Sequence, residues 1–222
     1  MTMPNSSLSY SDVPLFEQIG AQELTALLRC LHGRERSYKK GEILIMDQDH
    51  VQQVGVVLSG SVHMLKEDIW GNQTLYGYIG PGQLVGEMFA VQRRASAYVS
   101  FVAASDARVL FLDAAHIIHD CPNRCAFHSQ LVTNFFDQLG RKGVSLMEKI
   151  EVSSRPSLRE KILAYLSMQA QKQDSRYITL PLNRTELADF LGVNRSAMTR
   201  ELSAMRREGL IDFDGDTFAL VK

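Results

Sequence analysis

Residues 183–209 read NRTELADFLGVNRSAMTRELSAMRREG, and their spacing predicts two short helices joined by a tight turn. Thr185 is placed to cap the first helix, and Glu186, Leu187, Ala188, Phe190 and Leu191 follow at helical spacing. Ala188 is small where a second helix must cross closely. Gly192 stands where the turn needs a positive φ, and Val193 fills the gap beneath it. Asn194 is placed to cap the second helix, in which Met198, Leu202 and Met205 form a core-facing stripe. Arg195, Ser196, Thr199, Arg200 and Ser203 then fall on the outer side, nearest the helix N-terminus. Guanidinium groups and short hydroxyls in that arrangement suit the major groove of DNA. Arg can bond a guanine edge in two places, and Ser or Thr can bond bases or phosphates. Thr185, Asn194 and those five residues are the expected contact set. Two helices packed inside an ordinary helical domain are the plainer alternative, but here cap, small residue, glycine and polar outer face coincide.

Past Gly209 the period changes. Residues 210–221 alternate apolar and polar around Asp214, Gly215 and Asp216, which predicts a hairpin on an Asp-Gly turn. Helix, turn, helix and hairpin in succession make a winged helix. Its wing carries Asp212, Asp214 and Asp216, so it is expected to brace the domain rather than lie on phosphates.

The 222 residues suit one large domain or two modest ones, with a net charge of −1. That balance alone speaks against nucleic acid, but it is uneven. Residues 1–152 carry 13 Lys/Arg against 16 Asp/Glu, and residues 153–222 carry 11 against 9. DNA affinity would therefore depend on placement and pairing of subunits rather than on bulk charge. No apolar run approaches a membrane span, and the first residues lack the basic-then-apolar pattern of a signal peptide, so a cytoplasmic protein without a membrane partner is expected. Three cysteines do not make a disulfide framework.

The front half reads as a small β-barrel. A short amphipathic helix is predicted from Ala21 to Leu31, and eight glycines follow between Gly41 and Gly86. Short β runs cover Ile43–Met46, Val54–Leu58, Ser61–Glu67, Gln73–Ile79, Ala97–Ala103 and Arg108–Leu112, a pattern of sandwiches and jelly rolls. Residues 68–72 are the expected hairpin tip, with Trp70 covering an apolar edge. Residues 81–90 (PGQLVGEMFA) break the pattern with a short helical turn, a backbone amide at Gly86 and a carboxylate at Glu87. Arg93, Arg94 and Ser96 come next. Such a set can cradle an anion and hold a hydroxyl, although a Gly-Glu pair at a strand end is commonly only a turn.

A long helix is predicted from Pro122 to about Glu151. Val132, Phe136, Leu139, Gly143, Leu146 and Ile150 recur at intervals of four and three, a heptad seam for a homodimer, while Leu131 and Phe135 lie beside it facing the barrel. Gly140 and Gly143 cost the helix about 1 kcal/mol each relative to Ala, which suits close helix approach or a bend. Pro156 is expected in the first turn of the next helix, Ser157 to Gln171, with the hinge before it. The fold class expected is α+β: a jelly roll over residues 1–120, the long helix over 121–152 and a winged helix-turn-helix over 153–222.

In order, these are a glycine-rich barrel, the Gly86-Glu87 cassette, a long helix, residues 159–166 (REKILAYL) and residues 184–202 (RTELADFLGVNRSAMTREL). Over nearly its whole length the chain resembles the Crp/Fnr-type bacterial transcription regulators. It is most like the clostridial-type members sharing the segment Cys121-Pro122…Cys125-Ala126-Phe127-His128. The resemblance implies a regulator that is not an enzyme, with double-stranded DNA, a second copy of itself, a small-molecule effector and RNA polymerase as partners. Gly86 and Glu87 match the Gly-Glu that holds ribose in cyclic-nucleotide-binding relatives. Ser96-Ala97 matches the Ser-Ala after the phosphate-binding Arg, but that Arg position is Ala95 here and Arg94 is one place early. The long helix also lacks a Thr-Ser pair to read adenine. These departures argue against cyclic AMP and leave an unidentified effector contacting Gly86, Glu87, Arg94 and Ser96. Arg195 and Arg200 match the family's two DNA-reading arginines, whereas Ser196 replaces the Glu common between them, which implies a different operator. Cys30 is the only cysteine before residue 121, so the resemblance brings no iron–sulfur cluster, and no cofactor is expected.

Two other readings compete. His116, His119, Cys121, Cys125 and His128 lie within thirteen residues and could make a metal or redox sensor. Their spacing matches no standard zinc module, so capping and packing roles are expected and no metal ligand is assigned. A cupin-like enzyme would need inward-facing histidines and carboxylates on strands, and His63 is the only strand histidine.

Overall fold

The computed structural model describes residues 8–92, 96–118 and 127–221. The chain forms two compact units, Met1–Val144 and Ser145–Lys222. Their boundary falls inside the long helix, which the sequence reading set apart as a segment of its own. No helix among the described residues is long and apolar enough to cross a membrane.

In the first unit α1 (Ala21–Cys30) precedes β1 (Arg34–Tyr38), β2 (Ile43–Ile45), β3 (Gln53–Ser59), β4 (Val62–Glu67), β5 (Gln73–Ile79) and β6 (Leu84–Val85). Then come α2 (Glu87–Ala90), β7 (Ser100–Ala103), β8 (Ala107–Asp113), α3 (Ala114–Ile118) and the start of α4 (His128–Ser153). Two antiparallel sheets, ordered β1-β8-β3-β6 and β2-β7-β4-β5, build the jelly roll. Among the described strands of this unit, β4 and β5 alone are neighbours both in sequence and in a sheet. β3 is central and apolar, with Val54, Val56, Val57 and Leu58 wholly buried. On one side Leu15, Phe16, Leu24, Leu27 and Leu31 close the core with Leu131 and Phe135 of α4. The expectation that Leu131 and Phe135 pack on the barrel is therefore met.

Three expectations for this unit need correction. β1 was missed, because Arg34–Tyr38 is polar and largely exposed; its pairing with β8 makes it a strand where no alternation announces one. The run expected from Ala97 becomes a strand only at Ser100. Trp70 does not close over an apolar edge: it is 80% exposed at the β4–β5 tip, where Asp68 Oδ1 accepts from the N–H groups of Trp70 and Asn72 and shapes the turn. The expected helix start from Pro122 lies partly outside the described residues, and the described helix begins at His128.

The second unit contains the end of α4, α5 (Leu158–Gln173), β9 (Tyr177–Thr179), α6 (Arg184–Leu191), α7 (Arg195–Arg207), β10 (Ile211–Asp214) and β11 (Thr217–Leu220). Ser157 caps α5 through its hydroxyl, so Pro156 lies just before the helix and not in its first turn. The hairpin register Asp214↔Thr217 makes Gly215-Asp216 the two-residue turn, one place later than the expected Asp-Gly. β11 also pairs with β9, an unpredicted third strand. The core joins Ile162, Tyr165 and Leu166 of α5 to Leu187, Leu191, Met198, Leu202, Met205, Ile178, Ile211 and Phe218, all buried. Arg159 ties α5 to α7, with Nε 2.6 Å from Glu201 and both terminal nitrogens on Glu208 at 2.7 and 2.8 Å. Those two hydrogen-bonded carboxylates hold its guanidinium pKa above the ordinary value.

Candidate nucleic-acid interface and effector site

Local chemistry sets the helix-turn-helix. Asn183, not Thr185, caps α6: its Oδ1 accepts from the N–H groups of Thr185 and Glu186, and Glu186 Oε2 accepts from the Asn183 N–H at 2.9 Å. This reciprocal box starts the helix two residues earlier than expected and contributes roughly 1 kcal/mol through the cap. Gly192 ends α6 at φ +65°, with its N–H on Asp189 O and that of Val193 on Ala188 O, the paired bonds of a Schellman end. Asn194 Oδ1 then accepts from Ser196 and Ala197 and opens α7 as expected.

On α7 one stripe is closed and the other open. Met198, Leu202 and Met205 are at most 2% exposed, while Arg195, Ser196, Thr199, Arg200 and Ser203 are all exposed, as are Thr185 and Asn194. The hydroxyls have local duties. Thr199 Oγ1 donates to Arg195 O, Ser203 Oγ to Thr199 O, and Ser196 Oγ to Asn194 Oδ1. Each hydroxyl so engaged as a donor keeps acceptor capacity. Arg200 Nε donates to Ser196 O at 3.3 Å, which leaves both terminal nitrogens for a fork. Among the described residues no ion pair engages Arg195 or Arg200, whereas Arg206 pairs with Asp212 at 2.7 Å.

The wing is braced. Arg184 of α6 stacks over Phe213 and Phe218, 4.8 and 4.5 Å from the ring centroids, and donates to Gly215 O at 2.7 Å. Burial holds its guanidinium pKa below the ordinary value.

In the first unit the candidate effector site is the Gly86-Glu87 cassette. Gly86 turns the chain from β6 into α2 at φ +77°, and a Cβ there would lie 2.6 Å from Ile45 Cδ1. Glu87 follows, 1% exposed. Its partner is Lys142 of α4, whose Nζ is 2.7 Å from Glu87 Oε1 and donates to Leu84 O at 2.8 Å. The Glu87 contact is an ion pair by distance without hydrogen-bond geometry, and among the described residues neither carboxylate oxygen finds a hydrogen-bond donor. A buried carboxylate so placed has unused acceptor capacity, and an unsatisfied buried acceptor costs on the order of 1–3 kcal/mol. Sequence reading missed Lys142, because a lysine beside Gly143 carries no local sign of a partner 55 residues away. Ser96 is exposed and bridges His50 through the backbone. Arg94 lies outside the described residues. A cleft of about 640 Å³ is lined by Tyr10, Leu24, Leu28, Arg29, His32 and Arg34 among others, and not by Gly86, Glu87 or Ser96.

Removing one partner from a buried pair leaves the other charge uncompensated. Lys142→Met should therefore cost the first unit about 3 kcal/mol in urea unfolding, and Lys142→Met with Glu87→Leu should regain most of it. Additive losses in that double-mutant cycle would show that the two groups do not interact.

Along α4, Val132, Leu139 and Leu146 are half-buried, while Phe136, Met147 and Ile150 are 62–64% exposed and Gly140, Gly143 and Val144 are also open. Leu139 packs against the barrel core. The exposed apolar line thus runs through Phe136, Gly140, Gly143, Met147 and Ile150, again at intervals of four and three. Of the residues in the His/Cys cluster weighed as an alternative, His119, Cys121 and Cys125 lie outside the described residues. His128 is buried at the start of α4, and His116 instead faces His32 and Asp113.

A barrel of this topology, followed along the chain by a winged helix-turn-helix, defines a sensor-and-reader class of protein. Comparison with known proteins carries it further. Residues 35–119 match the cyclic nucleotide-binding domain, and residues 160–221 match the Crp-like helix-turn-helix domain. The chain is 26% identical over 204 residues to the cyclic AMP receptor protein of Thermus thermophilus, covering 89% of this chain and 88% of that one. It is 24% identical over 195 residues to the transcriptional activator protein FnrL of Cereibacter sphaeroides, covering 84% and 75%. A mutant of CooA from Carboxydothermus hydrogenoformans shares the fold at a TM-score of 0.72 and 18% identity, covering 98% of this chain and 94% of that one. The chain belongs to the Crp/Fnr family of transcription regulators. These relatives do not place it among the clostridial-type members.

Proposed function

We propose that this regulator binds a palindromic operator as a homodimer and answers to a small-molecule effector held at Glu87. The observation that carries the DNA reading is the exposed Arg195–Ser203 stripe on a helix whose opposite stripe is buried. Thr185 and Asn194 flank it. Half-sites centred about one helical turn, roughly 10 bp, apart would meet two such helices. The exposed line on α4 is the proposed seam, built on Phe136, Gly143 and Ile150 with Val132, Leu139 and Leu146 at its flanks. A regulator acting on promoters would work in the cytoplasm, with RNA polymerase as a further partner.

Effector control follows from the buried pair. An effector hydroxyl donating to Glu87, with its anionic part near Arg94 and Ser96, would supply the hydrogen bonds that the carboxylate lacks. It would also compete with Lys142 for that charge and so bias α4. Lys142 on Glu87 is a second reason, besides Ala95 in the arginine position, to expect an effector other than cyclic AMP. Enrichment of random duplex DNA on the purified protein tests the reading. The expected result is a two-fold symmetric site with half-site centres about 10 bp apart. Enrichment of a single asymmetric half-site, or of no sequence, would count against the dimeric operator.

A further inference from the structure

We propose that His32, Asp113 and His116 form a binding site for a divalent metal of the zinc class. The three come from separate elements: the end of α1, the end of β8 and the short α3. Backbone bonds bring them together. Asp113 N–H donates to Leu31 O at 2.9 Å, and Asp113 Oδ1 accepts from the N–H of Ala115 at 3.0 Å. That leaves Oδ2, which lies 3.3 Å from His116 Nδ1 and 3.9 Å from His32 Nδ1. One ligand atom from each residue falls within 4.8 Å of the others. Ligand atoms about 2.0–2.1 Å from a tetrahedral zinc lie roughly 3.3 Å apart, so rotation of the exposed His32 ring suffices to close the set.

Two features separate this group from an ordinary surface ion pair. His116 Nδ1 is buried and 3.3 Å from the carboxylate, yet among the described residues it has no hydrogen-bond partner, so it is available to a third centre. His32 holds a left-handed φ of 50° at a Schellman end, with its own N–H on Arg29 O and that of Gly33 on Leu28 O. α6 and α7 put Gly192 and Gly209 in the same position, and α5 puts Asp174 there. At α1 an imidazole takes the strained place while glycine stands one residue later, and the imidazole points toward Asp113 and His116. The edge-to-face His32–His116 contact, 4.8 Å between centroids, keeps both rings at the carboxylate.

Two imidazoles and one carboxylate suit zinc, cobalt or nickel rather than calcium or magnesium, which take oxygen ligands. Three protein ligands leave a fourth position for water or an exogenous ligand. A bound ion would staple the end of α1 to the β8–α3 junction within the sensor unit.

The test uses tag-free full-length protein, stripped with chelator and titrated with Zn²⁺, and with Co²⁺ as a spectroscopic reporter of tetrahedral binding. One Zn²⁺ per chain is expected, with a melting temperature raised by about 5–10 °C at zinc near a hundredfold excess over Kd. His32→Gly relieves the left-handed strain, so the metal-free variant should melt no lower than the parent while losing zinc. His116→Gln should lose zinc as well, by no less than the roughly 10–100-fold that an outer-shell partner contributes. A Cys121→Ser, Cys125→Ser double variant should bind as the parent does. Absence of zinc binding in the parent, parent-like binding by both histidine variants, or binding that disappears with the cysteines would each overturn the site.

Discussion

Arg200→Ala is expected to weaken binding to the selected operator by about 30-fold to 10⁴-fold while leaving non-specific DNA binding nearly unchanged. The estimate rests on one bidentate arginine–guanine contact at roughly 1–3 kcal/mol in each of two half-sites. Geometry makes Arg200 the stronger candidate for that contact. Its Nε is held by Ser196 O on its own helix, so the two terminal nitrogens are presented together and less side-chain freedom is lost on docking. Arg195 occupies the first residue of α7, where phosphates collect. Arg195→Ala should therefore weaken all sequences alike and lower the salt dependence by about one counterion per half-site. Fluorescence anisotropy on operator and scrambled duplexes, at several salt concentrations, distinguishes the two roles. If Arg200→Ala reduced both duplexes equally, Arg200 would be a phosphate contact; if it changed neither, α7 would not be the reading helix.

The second large effect concerns α4. Phe136→Glu with Ile150→Glu is expected to convert the protein to a monomer and to abolish high-affinity operator binding. Both side chains are more than 60% exposed in the single chain, so the substitutions disturb little within it. In a dimer they would remove four apolar groups, each contributing about 1.5–3 kcal/mol, and would set carboxylates against each other. A loss of roughly 5 kcal/mol or more raises the dimer Kd at least a thousandfold. Light scattering after size exclusion reads this directly. Leu139→Glu is the informative contrast, since Leu139 packs on the barrel core and its replacement should unfold the sensor unit as well. A double variant that stayed dimeric with parent-like DNA affinity would place the subunit interface elsewhere.

Where the forces were local, sequence reading came close to the structure. The stripe of Met198, Leu202 and Met205, the left-handed Gly192 and the Asn194 cap each depend on residues within one or two turns, and all are present. The error at Thr185 is of the same local kind. Asn183 and Thr185 can both cap, and the reciprocal bond from Glu186, which favours Asn183, rewards a spacing of three. Strand β1 failed for a different reason, because Arg34–Tyr38 gains its conformation from β8, some 70 residues on. Lys142 failed likewise. Its buried contact with Glu87 depends on where α4 crosses the barrel, and periodicity along one helix does not show what lies beneath it.

By itself, the sequence determined the reader: two capped helices, a glycine turn and an outward row of Arg, Ser and Thr, set by short-range hydrogen bonds and helical period. Only the tertiary structure decided what Glu87 holds, which side of α4 stays open, and that His32 meets Asp113 and His116. Those three outcomes rest on contacts between distant segments, whose free energy appears only when the chain closes on itself.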